Sequence, residues 1–471
     1  MVFYNQAKIF IYSMKINYLG GFKLNNNTNN NLPKSIQIFY GIGVSYAIVD
    51  QIFAQWVLYY YLPPEASQLS PVLPPVLISL ALILSRFVDM IADPAIGYLS
   101  DKTRTRFGRR IPYLAAGVLP LAITTVAFFY PPAGTDQQFR FIYLAIIGAL
   151  FFIFYTIVGA PYNALIPDLA QNKTDRLNLS TWQSVFRLLY TAIAMILPGW
   201  LIVVFGQGNE EVGIRRMVIL LSTIMIIGII ITIAMVNEKK YSNPASTSIK
   251  IKKALKLIIN KRSTLFYFAG LTLFFLGFNT LRGSINYYVV DIMGYGTTAI
   301  TIASALLFGS AAIAFYPVNR LANKIGYKKP LLAFLVILII LSLALTRVGR
   351  LLPENAGFII FFLFGIPISG AAFIFPPAML SELASRLQSE KKVSIEGLFF
   401  GIQGFFLKLA FLLSIGILPL LLVSGGSDFS IAGALIGDID QVTQTGIYGT
   451  SYLAAIVFAG SFLCYLGYKE D

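Results

Sequence analysis

Twelve apolar stretches leave this chain one class of fold. About twenty apolar residues carry a helix across a hydrocarbon layer roughly 30 Å thick. A backbone in that layer must close its own hydrogen bonds, which a single helix does unaided. The stretches run over residues 36–62, 72–100, 112–131, 139–166, 179–205, 213–236, 264–291, 298–321, 330–349, 356–382, 395–424 and 445–467. Only 12% of the 471 residues are charged and 57% are hydrophobic; a soluble chain has about 25% charged residues. The expectation is an all-α polytopic membrane protein.

The net charge of +15 does not point to nucleic acid, because the positives sit in every second short connector. Of the 36 Lys and Arg residues, Arg140, Arg215, Arg216, Arg347 and Arg350 fall in the alternate connectors, and Arg86, Arg187, Arg282 and Lys408 fall inside spans. The others cluster at the tail, 101–111, 167–178, 237–263, 320–329, 383–394 and the C-terminus. The alternate connectors carry acids such as Asp428, Asp438 and Asp440. Positive residues are retained on the cytoplasmic side, so both termini are expected there, in the cell (inner) membrane. The longest basic connector lies mid-chain, with six spans on each side. The expected organisation is a disordered cytoplasmic tail at 1–35 with the run NNNTNNN, a six-helix half at 36–236, a cytoplasmic loop at 237–263, a second half at 264–467 and a C-terminus at 468–471. The halves echo each other weakly. Gly97-x-x-x-Asp101-Lys102 with Phe107-Gly108-Arg109-Arg110 follows the second span, and Asn323-Lys324-Ile325-Gly326-Tyr327-Lys328-Lys329 follows the eighth. A turn repeated in each half is a mark of a duplicated transporter whose substrate binds between the halves.

Several chemistries are excluded. The chain has one cysteine, Cys464, and no histidine, so it lacks an internal disulfide, the usual zinc motifs and a Ser-His-Asp arrangement. No enzyme activity, metal site or cofactor is expected beyond a coupling ion.

The residues that could carry chemistry are the charges at membrane depth, which are costly to hold there and are rarely kept without a role. Asp89 and Asp93 are four apart, and Arg86 precedes them by three and seven, so all three share a helix face. One acid pairs with Arg86 and leaves the other free for a cation or a proton; the alternative is a structural salt-bridge knot. Pro94 should loosen this helix locally. Lys408, deep in the eleventh span, is a partner for the acids from the other half. Asn279, Arg282 and Asn286 share one face of the seventh span. Gln183 and Arg187 make a patch in the fifth, and Thr156, Tyr162 and Asn163 one in the fourth; Gln403 of the eleventh is counted with them. Such polar groups line a site for a polar small molecule, or else glue helices together. In the basic turn, Asp101, Gly108 and Arg109 form a cytoplasmic clasp, unless the charges serve orientation alone.

Gly97-x-x-x-Asp101-Lys102 with Gly108-Arg109-Arg110 resembles the signature loop of the major facilitator superfamily. Asp89-x-x-x-Asp93-Pro94-x-x-Gly97 is similar, more narrowly, to the glycoside–pentoside–hexuronide:cation symporter family. Tyr40-Gly41-Ile42-Gly43, Tyr59-Tyr60-Tyr61, Pro161 with Leu165-Ile166-Pro167, Asn286-Tyr287-Tyr288 and Glu396-Gly397-Leu398-Phe399 extend the likeness over residues 36–467. The resemblance implies two six-helix halves and a cation site on Asp89 and Asp93, with Thr156 and Lys408 near it. The family's first-span sugar-binding acid aligns near Ile48, two residues before Asp50. Its fourth-span acid and tryptophan align with Gly159 and Asn163, and its fifth-span arginine with 183–184, one turn before Arg187. A sodium-using member of the family has asparagine before the second aspartate; here it is Ala92, which favours H+ over Na+. The implied function is cation-coupled symport of a sugar or glycoside by alternating access, in a monomer with the bilayer as its surroundings. A lysophospholipid or another organic solute is the alternative substrate, and a transport-inactive sensor or partner protein the remote alternative.

Overall fold

The computed structural model describes residues 32–170, 172–241, 262–380, 382–383, 396–425 and 441–468, with the side chains of 173, 262 and 396–401 excepted. The tail up to residue 31, most of the 237–263 connector, the connector 384–395, the loop with Asp428, Asp438 and Asp440, and residues 469–471 lie outside the described residues.

Twelve helical rods are described. They are α1 (Lys34–Tyr61), α2 (Pro75–Lys102), α3 (Ile111–Ala127), α4 (Gln137–Leu169), α5 (Lys173–Ile196 continued by Pro198–Gly206), α6 (Glu210–Met235), α7 (Ser263–Ile292), α8 (Thr298–Ile325), α9 (Lys328–Leu345), α10 (Ala356–Leu380), α11 (Glu396–Leu422) and α12 (Gln444–Gly467). Ten are long and apolar enough to cross a membrane alone; α5 does so as a pair bent by 47°. The shortest rod, α3, has 17 residues and reaches only roughly 25 Å at ~1.5 Å per residue. Local chemistry starts the helices. Pro75 opens α2, where its missing N–H costs nothing. Asp136, Asn172, Asn209 and Thr443 accept a backbone N–H three residues on and cap α4, α5, α6 and α12, each satisfying a donor the helix leaves orphaned.

Pro94 does not loosen α2 as expected. The helix is continuous to Lys102, because its packing on α4 and α11 outweighs one lost backbone bond. The irregular turns lie elsewhere: a 3₁₀ turn at Gly43–Tyr46, and π turns at Phe53–Val57, Tyr288–Ile292 and Ser369–Ile374. Such turns interrupt the regular spacing of side chains, and three of the four fall on α1 and α7, the central helices of the two halves.

Packing repeats with an offset of six helices. In the first half α1 packs on α5 and α6, α2 on α4, and α3 on α6; in the second α7 packs on α11 and α12, α8 on α10, and α9 on α12. The two sets meet through α2 with α11 and α5 with α8, pairings that exchange under the same offset. The contact between sets is uneven along its length. At the end remote from the basic turn, a Cβ on Gly199 of α5 would lie 2.3 Å from the Thr297 carbonyl, and one on Gly416 of α11 would lie 2.7 Å from Ile83. Trp200 N–H donates to Thr301 Oγ1 at 2.8 Å and Tyr287 OH to the Leu62 carbonyl at 2.7 Å. The Asp291 carboxylate accepts the N–H groups of Glu65 and Ala66 at 3.1 and 3.0 Å. Toward the basic end, a Cβ on Gly97 of α2 or Gly404 of α11 would meet nothing within 4 Å. Among the described residues, the bundle is closed at the remote end and open at the basic end.

A wedge at the tight end should reverse this. Gly199→Ile is expected to lengthen the distance between spin labels at Gln68 and Thr298 in a Cys464→Ser background, read by double electron–electron resonance. An unchanged distance distribution would show that the α5–α8 approach does not hold this end shut.

Candidate functional site

Helices α2, α4 and α11 converge on one cluster of charge. Asp89 is fully buried, and the Asp93 side chain is 45% exposed toward the open end. Lys408 reaches across from the second half and places its Nζ 2.9 Å from Asp89 Oδ1 and 2.6 Å from Asp93 Oδ2. Arg86 Nη1 donates to Asp89 Oδ2 at 3.1 Å, and its Nη2 lies 3.6 Å from Asp50 Oδ1 on α1. Its guanidinium is sandwiched between Phe152 and Phe411, 4.1 and 3.9 Å from the ring centres, a contact worth most where water is excluded. Thr156 Oγ1 lies 3.0 Å from Asp89 Oδ1 and 3.1 Å from Asp93 Oδ1. A hydroxyl has one proton. The two carboxyls therefore share that one donor. The cluster therefore gathers two carboxyls, a hydroxyl, a guanidinium and an ammonium from both sets of helices at one point.

From Asp50 the network continues across the halves. Gln51 Nε2 lies 3.4 Å from Asp50 Oδ2, and Arg282 Nη1 of α7 donates to Gln51 Oε1 at 2.9 Å. One turn on, Gln55 Nε2 donates to Asn286 Oδ1 at 2.9 Å. On the other wall, Arg187 Nη2 and Asn163 Nδ2 both donate to Tyr46 OH, at 3.0 and 3.3 Å, and Gln183 Nε2 donates to Asn163 Oδ1 at 2.7 Å.

The structure thus brings Asp89, Asp93, Lys408, Thr156 and Arg86 together, with Asp50 and Arg282 adjoining and Asn163, Gln183 and Arg187 opposite. It does not bring in every residue the spacing selected. Tyr162 is fully buried, stacked on Tyr40 with ring centres 4.6 Å apart, and donates to the Tyr40 carbonyl; it is packing between α4 and α1, not cavity wall. Asn286 is likewise buried and belongs to the closed remote end. Gln403 is buried beside Tyr267 OH, 3.2 Å away, and Asn279 is half-buried on α7. Tyr46, Gln51 and Gln55 were missed, because single polar residues on an otherwise aromatic helix give no periodic signal.

The basic turn joins helices of the first half to one another. Arg109 Nη2 pairs with Asp168 Oδ1 at 2.6 Å, and Arg110 Nε with Asp168 Oδ2 at 3.1 Å. Arg110, not Arg109, pairs with Asp101. Glu238 accepts the backbone N–H groups of Arg109, Arg110 and Ile111 at 2.6, 2.9 and 3.1 Å, capping α3. Gly108, at φ +114°, lets this carboxylate in; a Cβ there would lie 2.2 Å from Glu238 Oε2. Sequence reasoning put Glu238 in the connector and missed Asp168. The available signal was an arginine-rich turn at a helix start, which calls for anions.

Comparison with known proteins agrees with this architecture. Residues 39–469 match the family described as MFS/sugar transport protein. An uncharacterized symporter of Synechocystis sp. is 30% identical over 224 residues, 45% of this chain and 39% of that protein. A putative glycoside/cation symporter of Escherichia coli is 28% identical over 238 residues, 50% of each chain. The isoprimeverose transporter of Lactiplantibacillus pentosus is 25% identical over 266 residues, 56% of this chain and 55% of that one. The chain thus spans about half the length of the curated relatives it matches. Among solved structures, a bacterial homologue of the human lysosomal transporter Spinster, inward-facing and unoccupied, covers 92% of this chain and 96% of its own at a TM-score of 0.65 and 15% identity. A bacterial homologue of the iron transporter ferroportin, also inward-facing, covers 93% and 98% at 0.62 and 14%. At these identities the likeness is one of fold.

Breaking a buried ion pair from one side costs about 3–5 kcal/mol. Lys408→Met, which takes from buried Asp89 one of its two cationic partners, should therefore lower the melting temperature more than Asp93→Asn does. The double variant should lose less than the two single losses added together. Strict additivity in a detergent thermal-shift assay would deny the coupling between the two residues.

Proposed function

Because the chain belongs to the MFS/sugar transport protein family, in its glycoside–pentoside–hexuronide:cation symporter branch, we propose that it carries a sugar or glycoside across the cell's inner membrane together with a cation, as a monomer with both termini in the cytoplasm. The names of the relatives, glycoside/cation symporter and isoprimeverose transporter among them, support the substrate class. The observation that carries the coupling is the Thr156 hydroxyl between the carboxyls of Asp89 and Asp93 with the Lys408 ammonium on both. A proton is the better coupling ion. It needs one carboxyl oxygen, whereas a metal cation needs several oxygen ligands, and Ala92 supplies no side-chain oxygen beside the seat. The reading involves no resident metal and no cofactor.

The mechanism follows from which contacts charge can change. With both acids ionised, Lys408 ties α11 to α2 across the halves. A proton on Asp93, the exposed member, removes one of its two anchors. The second half is then freer to rock about the seat, opening the end now closed by Asp291, Tyr287 and Gly199. Substrate admitted beside Asp50, Asn163 and Arg187 stabilises the closing state, and each ligand shifts the equilibrium by its differential affinity for the two states. With the basic end cytoplasmic, the described conformation is inward-open. The basic turn moves as part of the first half, and its role is to hold α2, α3, α4 and α6 in fixed relation.

The test is uphill uptake in proteoliposomes, using a panel of radiolabelled pentosides, hexosides and disaccharides under an imposed pH gradient, with and without sodium. Asp93→Asn is expected to abolish pH-driven accumulation while equilibrium exchange of the same sugar persists. Accumulation by the variant equal to wild type would sink proton coupling at this seat.

A further inference from the structure

The repeated turn is pinned in one half and bare in the other. After α2, Arg109 and Arg110 are held by Asp168 and Asp101. After α8 the matching cations are Arg320 and Lys324, near the end of that helix, and Lys329, at the start of α9. All three are exposed, and none forms an ion pair with a described carboxylate. Lys328, beside them, is spent on the Leu466 and Tyr468 carbonyls at the end of α12.

The bare cations end an apolar groove. It has a volume of about 370 Å³ and is bounded by Ile313, Pro317 and Leu321 of α8, Phe334 of α9, and Phe362 and Ile366 of α10. The one polar side chain in its lining is Ser310, whose hydroxyl is taken up by the Leu307 and Phe362 carbonyls, 3.0 and 2.7 Å away. There α8 and α10 touch, since a Cβ on Gly365 would lie 1.9 Å from Ser310 Oγ. From that contact to Leu321 the groove runs roughly 17 Å along α8. Ile313 on its wall is 76% exposed, so the groove opens sideways to hydrocarbon. Ile313, Pro317, Arg320 and Lys324 follow at spacings of four, three and four, which puts them on one helix face. The face that lines the groove thus ends in charge. Orientation in the membrane accounts for cations in this connector, but not for their alignment with a groove that offers no hydrogen bond.

We propose that this groove holds one anionic phospholipid of the leaflet at the basic end, with an acyl chain between α8 and α10 and the headgroup phosphate on Arg320 and Lys324. A long groove without a free polar group fits a hydrocarbon chain. A chain seated there brings its phosphate to the cations, where the oxygens match the donor fork of the arginine. Three unpaired cations select a headgroup of net negative charge, each adding to the attraction. The lipid gives the second half what Asp168 gives the first, an anion that fastens the turn. The groove shares no residue with the charge cluster around Lys408, so its occupant is independent of the transported solute.

The test uses the purified full-length protein, stripped of lipid in detergent, and reads binding by native mass spectrometry and thermal shift. The probes are dioleoyl phosphatidylglycerol, dioleoyl phosphatidylcholine and inorganic phosphate. Phosphatidylglycerol is expected to bind about tenfold or more tightly than phosphatidylcholine, and inorganic phosphate not to bind at the same concentration. Arg320→Gln with Lys324→Gln, both exposed positions, should bring the two lipids to within about twofold of each other. Leu321→Trp, which fills the groove, should weaken both lipids alike; if it does not fold, Ile313→Trp takes its place. Equal affinity of the wild type for the two lipids, or a preference untouched by the double variant, overturns the proposal. Full phosphatidylglycerol affinity in the filled groove shows that no chain lies there. Inorganic phosphate binding as tightly as the lipid makes this a free-phosphate site instead. A dimer that phosphatidylglycerol does not displace and Leu321→Trp abolishes gives the groove to a second copy of the chain.

Discussion

One ion pair holds the two sets of helices in register at mid-depth. Lys408 on α11 is mostly shielded from water and finds two acids on α2. Desolvating these charges costs several kcal/mol per ion unless each finds a partner, so the cluster is stable only as a whole. In the proposed mechanism that makes it a switch. Neutral glue such as Thr280 against Ser414, 3.2 Å apart on α7 and α11, responds little to what arrives in the cavity. An ion pair responds to the charge of what arrives. Every other feature of the site hangs from this knot, since Arg86 ties it to Asp50, and Asp50 lies among the residues of the cavity wall.

The two ends of the bundle are held by different means, and the difference fits the rocking proposed above. At the remote end the halves meet through backbone groups: the Leu62 and Thr297 carbonyls, and the N–H groups of Glu65, Ala66 and Trp200. Such contacts need close approach, which explains why glycine stands at 199. They form or break with a rigid tilt and strand no formal charge apart from Asp291, whose site borders solvent. The charged contacts at the basic end, from Arg109 and Arg110 to Asp168, Asp101 and Glu238, lie wholly within the first half. They do not have to break when the halves separate. A rigid body needs bonds that persist through the cycle, and a gate needs bonds that do not. The distribution of charge sorts the two.

Legibility from sequence follows the same division. The helices were readable because apolar length is a local property, and the boundaries differ from expectation by only a few residues, as for α1 at Lys34–Tyr61. The acid pair and Lys408 were readable because a charge inside an apolar run stands out without reference to its neighbours. What stayed hidden was anything whose meaning is relational. Tyr162 has the composition of a binding residue, yet it is stacked on Tyr40. Asn286 shares a face with Arg282, but one turn along α7 takes it out of the cavity and into the closed end. Glu238 looks like one more charge of a polar connector, and only the fold carries it back to three backbone N–H groups at the start of α3.

That last contact changes the meaning of the basic turn. Five cations within nine positions read as an orientation signal, and counting charges cannot separate that from a latch. The backbone can. Gly108 holds a left-handed φ that most residues avoid, and it does so where a side chain would strike Glu238. A turn needed only for its charge would tolerate any chain path that kept the arginines in water. This path is shaped around one carboxylate from the end of α6, while Asp168 from the end of α4 holds both arginines. Four helices of one half are thereby fastened at a single point, at the end where the halves stand apart. In the proposed mechanism, the half that moves against Lys408 is stiff because it is pinned where it is least supported by its partner.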